Sequence, residues 1–313
     1  MNKRIIISLL SIAAAGCFGP RVRMPASEFP PDTLRGVVET LAGVDPPRNG
    51  DNPASLEAVA EFIAERMTAG GLEPTFQTFE IGEVKYHNVS ALIGTGKRAR
   101  IVVGAHYDVF GALPGADDNA SGVAALLDIG ARLASREMDK DVELVAYTLE
   151  EPPFFDTANM GSARHAQALA DSGVKVVAML SLEMLGYYSD DPNSQGYPDR
   201  ELLKYFPSVG NYLAILGRSE DAELLRKIRG FMAKGNPLAI YALSGGNDLP
   251  GIENSDHRSY WAYNVPAFMV TDTAYFRNPH YHKASDQPAT LDYGRLQQAA
   301  DAVYAGVVAL AEG

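Results

Sequence analysis

Two kinds of apolar pattern alternate along the 313-residue chain. Unbroken, β-branched runs at 100–105 and 267–271 predict strands covered on both faces, and 142–148 and 174–184 read as further buried strands. Apolar residues recurring every three or four positions predict helices at 31–43, 54–70, 120–133, 158–170, 221–233 and 290–310. In the second of these, Leu56, Val59, Phe62, Ile63 and Met67 share a face, with Glu57, Glu61 and Arg66 off it, and Gly70-Gly71 stops the helix. In the last, Leu296, Val303, Val307 and Leu310 form one stripe. Residues 75–81 and 84–93 alternate apolar and polar, which predicts a half-exposed hairpin. Strands are also expected at 211–216 and 238–243. The loop 186–209 is long for a compact domain, as functional loops often are, and 244–255 reads as another, Gly-rich loop. Buried strands alternating with helices predict an α/β fold. One globular domain is expected, with a mainly parallel twisted central sheet flanked by helices.

Composition adds a constraint on partners. The net charge is −12, which argues against nucleic acid, because phosphate binding calls for a basic surface. The first residues stand outside the fold pattern. Lys3 and Arg4 precede an apolar run at 5–15, then Ala14-Ala15-Gly16-Cys17. This predicts a signal peptide over 1–17, with Cys17 placed as in a lipoprotein, a tether over 18–31 and the catalytic domain over 32–313. The expected location is exported, periplasmic or cell-envelope, with membrane attachment through lipid on Cys17. The alternative is a secreted protein cleaved nearby. Cys17 is the only cysteine, so no disulfide forms within the chain.

The candidate chemistry sits where α/β sheets bind ligands, just beyond the carboxyl ends of strands. His106 and Asp108 end one predicted strand, and Asp118 lies in the loop to the next helix. Glu150 and Glu151 follow a second strand, Glu183 closes a third, and His280 and His282 follow a fourth. Each has a plain reading. The triplet H-x-D is common, Glu-Glu pairs are mostly solvated, and Asp117-Asp118-Asn119 could simply cap a helix. Glu183 is more telling, because a glutamate ending the run VVAMLSLEM is costly without a partner. Together the set suits two divalent cations, for which zinc accepts imidazole and carboxylate ligands. His106, Asp118 and Glu183 would serve one ion, and Asp118, Glu151 and His282 the other. A shared carboxylate would screen ions about 3.5–4 Å apart. Glu150 is left over as the general base, and Asp108 is placed to accept the second ring N–H of His106. Spacing alone does not choose between His280 and His282.

The motifs GAHYDV (104–109), PGADDNASG (114–122), LEE (149–151), SLEM (181–184), SDHRSYW (255–261) and YHKASD (281–286) occur in an order that resembles the di-zinc exopeptidase family. That family holds bacterial leucyl and Streptomyces-type aminopeptidases, glutamate carboxypeptidase II and, on the same fold, glutaminyl cyclase. The resemblance spans residue 54 to the C-terminus. It implies an α/β/α sandwich and two Zn2+ ions. It makes Asp118 the bridge, followed by a cis peptide, Glu150 the base, Glu151 a ligand and His282 the ligand histidine. It implies that Tyr281 stabilises the oxyanion, and that Asp256 and Asp286 support the ligands from behind. The implied activity is a zinc-dependent exopeptidase on peptide substrates, foremost an aminopeptidase, with glutaminyl-cyclase-like acyl transfer or a carboxypeptidase or dipeptidase as alternatives. Glu183 stands where many aminopeptidases of the family have Asp, which bears on how a substrate amine is held. Loops 186–209, 244–255 and 273–280, with Tyr187, Tyr188, Tyr275 and Phe276, are expected to shape an apolar pocket.

Overall fold

The β-branched runs become the middle of a single sheet. In the computed structural model, which describes residues 22–94, 99–246 and 249–313, eight strands are present. They are β1 (Pro74–Ile81), β2 (Val84–Ile93), β3 (Ala99–His106), β4 (Asp141–Tyr147), β5 (Lys175–Glu183), β6 (Tyr212–Arg218), β7 (Ala239–Gly245) and β8 (Ala267–Thr271). Their order is β1-β2-β4-β3-β5-β8-β6-β7. The inner block β4-β3-β5-β8 is parallel throughout. β1 and β2 pair antiparallel, as the predicted hairpin requires, and β2 also pairs antiparallel with β4. On the other side β6 runs against β8 while β7 runs with β6. The sheet is therefore mixed, with a parallel centre. The signal-like segment 1–17, Cys17 and the start of the expected tether lie outside the described residues.

Strand periodicity explains why the centre is apolar at every position. Along β3, Ile101, Val103 and Ala105 join one large core, while Val102 joins a smaller core on the opposite face. The large core is roofed by α1 (Leu34–Ala42), α2 (Pro53–Ala69), α3 (Gly122–Leu133), α5 (Ala222–Ala233) and α7 (Tyr293–Glu312). The smaller core is covered by α4 (Gly161–Ser172) and the short α6 (His257–Trp261), which periodicity did not reveal. The predicted stripes of α2 and α7 are buried, except that Phe62 is half-exposed. Helix starts moved where caps or competing bonds intervene. α7 begins at Tyr293 because the Asp292 carboxylate accepts the Arg295 amide at 2.9 Å. α4 begins at Gly161, whose amide donates to the Thr148 carbonyl at 2.8 Å.

The described part of the expected tether does not stand clear of the domain. Arg23 and Asp45 exchange backbone hydrogen bonds of 2.8 and 3.1 Å, and Val22 and Met24 pack on the large core. Among the described residues no helix is long and apolar enough to cross a membrane.

Gly104, two residues before the strand end, is needed for close packing. A Cβ there would lie 2.2 Å from Cε2 of Tyr147, a fully buried ring whose hydroxyl meets that of Tyr260 at 2.7 Å. Gly104→Ala is expected to cost about 1–3 kcal/mol by overpacking. Urea unfolding measures this, and an unchanged midpoint would show that the Tyr147 ring can give way.

Candidate metal centre

The four parallel inner strands end side by side, and each delivers part of one cluster. β3 ends at His106 and β5 ends at Glu183. Glu150 and Glu151 follow β4, and His282 lies in the segment after β8. Asp118 is set in the turn Ala116–Ser121 that leads into α3. Nε2 of His106 lies 3.5 Å from Oδ1 of Asp118 and 3.4 Å from Oε2 of Glu183. Nε2 of His282 lies 3.2 Å from Oδ2 of Asp118 and 3.4 Å from Oε1 of Glu151. Two triads therefore share Asp118, each with its donor atoms within 4.8 Å of one another. Glu150 belongs to neither, and its Oε2 lies 3.9 Å from Nε2 of His106.

The donor set fits divalent cations. Both ring nitrogens of His106 are buried without a hydrogen-bond partner, and so is Oε1 of Glu151. Unpaired buried polar atoms are costly, so their convergence on one another calls for a further partner. Charge points the same way. Burial pushes Glu150 well above the usual carboxylate range; His106 opposes this, and the charges of Glu151 and Glu183 add to it. Burial and the charge of Asp118 push Glu151 up to about 7. Burial also raises Glu183. Burial would lower His106, yet Glu150 and Glu183 hold it well above its ordinary value. Burial likewise opposes protonation of His282, but Asp118 and Glu151 bring it up to about 10. Asp118 is held below its ordinary value, since its contacts with both imidazoles outweigh burial.

The ambiguous neighbours separate cleanly. Asp117 faces away, accepting the Gly186 amide at 2.8 Å and the Asn278 side chain at 2.7 Å. The peptide joining Asp118 to Asn119 is cis. His280 turns outward to Ser285 Oγ at 3.0 Å. His257 is fully buried, bonded to the Ile252 carbonyl at 2.7 Å, and pushed down to about 4 by burial. His165, on α4, is buried against the Tyr260 hydroxyl at 2.7 Å. Asp256 is fully buried, and burial pushes it up to about 7 against the charge of His106. Tyr281 stacks on the His282 ring, 3.9 Å between centroids, and burial with the nearby Asp118 and Glu151 charges keeps its phenol protonated.

Asp108 departs from its expected part. Its Oδ1 is 3.6 Å from Nδ1 of His106, too far for a hydrogen bond. Its carboxylate instead accepts the backbone amides of Glu150 and Glu151, both at 3.0 Å. Asp286 does the same for Asp117 and Asp118, at 2.9 and 3.1 Å. Each aspartate grips two successive amides of a segment that carries cluster residues.

The comparisons with known proteins bear on this cluster. The family model described as peptidase family M28 matches residues 88–307. The chain belongs to peptidase family M28. It is 39% identical over 282 residues to YfbL of Escherichia coli (strain K12), covering 87% of this chain and 86% of that one. A probable leucine aminopeptidase of Trichophyton verrucosum is 25% identical over 270 residues, 81% of this chain and 64% of that longer protein. Among solved structures, the zinc aminopeptidase BSAP from Bacillus subtilis superposes with a TM-score of 0.72 at 15% identity, covering 93% of this chain and 96% of that one. At that identity the likeness speaks for the fold.

Beside the M28 cluster lies an apolar pocket bounded by Glu183 and Tyr281. Tyr197, Phe206, Tyr212, Tyr241, Tyr275 and Phe276 form most of its aromatic wall. Of the four aromatics expected there, Tyr275 and Phe276 take part. Tyr188 is instead buried, with Arg277 and Arg295 over its ring, and Tyr187 packs edge-on against His280. Tyr212 and Tyr241 come from β6 and β7, where they read as ordinary strand residues.

Sequence reasoning also missed Arg48. Its guanidinium is buried and donates to the carbonyls of Leu41, Tyr107, Pro114 and Gly115 at 2.7–2.8 Å. Burial pushes it down to about 10, opposed by the charges of Asp286 and Asp108. It ties α1 to both ends of the segment between His106 and Asp118. A lone arginine in PPRNG carries no sequence signal for this. Arg48→Met should leave several buried carbonyls unpaired and cost at least about 3 kcal/mol. Chemical unfolding tests it, and a loss under about 0.5 kcal/mol would show that those carbonyls find other donors.

Proposed function

We propose that the chain is a zinc-dependent aminopeptidase with two metal ions. The observation that carries this reading is the pair of triads sharing Asp118, with Glu150 beside them and assigned to neither. His106, Asp118 and Glu183 would hold one ion, and Asp118, Glu151 and His282 the other. Zinc bound there supplies Lewis acidity toward a peptide carbonyl and toward water. The chain's own residues do the rest. Glu150, in a cleft that Pro152, Phe155 and Tyr281 also line, is placed to take the proton of the attacking water and return it to the leaving amine. Tyr281, neutral and facing both cleft and pocket, can donate its hydroxyl proton to the developing oxyanion. Asp108 and Asp286 keep the flanking main chain from drifting.

The direction of cleavage follows from charge and shape. Among the described residues that line the cleft around Glu150 and Glu183 and the adjoining pocket, none is lysine or arginine. Apart from the imidazole of His282, no side chain lining them carries positive charge to hold a substrate α-carboxylate, whereas the Glu183 carboxyl at the pocket edge favours an α-ammonium group. The aromatic wall suits a large apolar side chain on the terminal residue.

Two outcomes are expected. Glu150→Gln should keep both metals by metal analysis yet lose about 10²–10⁴-fold in kcat on an aminoacyl anilide. Near-full turnover in that variant would remove Glu150 from proton transfer. In a dipeptide panel, free N-termini with Phe, Tyr or Leu should be cleaved, and N-acetylated or Asp- and Lys-starting peptides poorly. Cleavage of blocked peptides from a free C-terminus would reverse the assignment, and cyclisation of N-terminal glutamine without hydrolysis would make the chain an acyltransferase.

A further inference from the structure

The His282 ring is held by an arrangement unlike that of most metal-binding histidines. Such imidazoles usually donate their second N–H to a carboxylate or carbonyl, which sets ring rotation. Among the described residues no hydrogen bond to His282 Nδ1 is present, and the residue sits in a short loop at φ 50°, a left-handed conformation. Its ring is instead enclosed on both faces. Phe110 stacks on one face with centroids 4.1 Å apart and planes 4° from parallel. Tyr281 stacks on the other at 3.9 Å and 14°. Tyr281 is in turn backed by Tyr275 at 5.5 Å, and Tyr275 by Phe276 at 4.3 Å.

We infer that Phe110 is a positioning residue for the second metal site: with Tyr281 it forms an aromatic clamp that sets the rotation of His282. This rests on the reading of His282 as a metal ligand. Turning an imidazole about its Cβ–Cγ bond sweeps its edges through the planes above and below. Flat rings in van der Waals contact on both faces block that sweep, and Nε2 stays pointed at Asp118 and Glu151. Phe110 suits a local role because it is 37% exposed and belongs to no core cluster. It follows Val109 on the segment between His106 and Asp118, so that one segment would supply a ligand for each ion and a brace for a third ligand.

The test is zinc titration of the metal-stripped full chain by calorimetry, with thermal melting of the metal-free protein alongside. Phe110→Ala removes the ring, Phe110→Leu keeps apolar bulk without a flat face, and Phe110→Tyr keeps the face. Wild type and Phe110→Tyr should bind two ions alike. Phe110→Ala and Phe110→Leu should bind one ion normally and the other about 10–100-fold more weakly, with the metal-free melting temperature unchanged. If both variants bind both ions as wild type does and only KM rises, Phe110 contacts substrate and the clamp is overturned. Normal binding by Phe110→Leu alone also overturns it, since bulk would then suffice. A wild type that takes up a single ion would sink the two-metal reading. The clamp would then stand only if Phe110→Ala weakens that ion.

Discussion

Asp118 lies between two imidazoles in a cleft where three more carboxyl groups, Glu150, Glu151 and Glu183, are buried. Like charges so close repel strongly where water cannot screen them, and side chains alone would rotate to relieve the strain. The rest of the site is arranged to prevent that rotation. Asp108 and Asp286 do not face the centre; they seize the amides of Glu150, Glu151, Asp117 and Asp118. Arg48 binds the carbonyls at both ends of the segment that joins His106 to Asp118. The cluster is therefore held through its main chain, and the repulsion within it persists as affinity for cations.

The sheet order explains why these residues meet at all. His106, Glu150, Glu151, Glu183 and His282 come from strands separated widely in sequence, yet β4, β3, β5 and β8 are neighbours and parallel, so their carboxyl ends form one edge. The reversed pair β6-β7 adds the second half of the site. Tyr212 and Tyr241 on those strands face the aromatic pocket, and Glu183 and Tyr281 stand where pocket and cleft join. A terminal side chain in the pocket would place its peptide bond near Glu150.

Much of this was legible in the sequence because the strong signals are local. Unbroken β-branched runs mark inner strands, and a polar residue ending such a run marks the sheet edge, which exposed His106 and Glu183 as candidates. The unread parts depend on contacts between distant segments. Arg48 acts on carbonyls as far away as Gly115, and no periodicity records that. Asp108 was assigned to His106 by its nearness in sequence, but it binds the amides of a neighbouring strand's end. The pocket wall was sought among loop aromatics, whereas Tyr212 and Tyr241 are hidden in strand patterns. Tyr188, though in a loop, is drawn into the core.

The most direct measurement is the metal content of Asp118→Ala beside wild type, by native mass spectrometry after zinc loading and dialysis. Asp118 is the one residue common to both triads. Wild type should retain two zinc ions per chain and Asp118→Ala neither, with the variant still folded by circular dichroism. Retention of both ions by the folded variant would contradict a centre built around a shared aspartate.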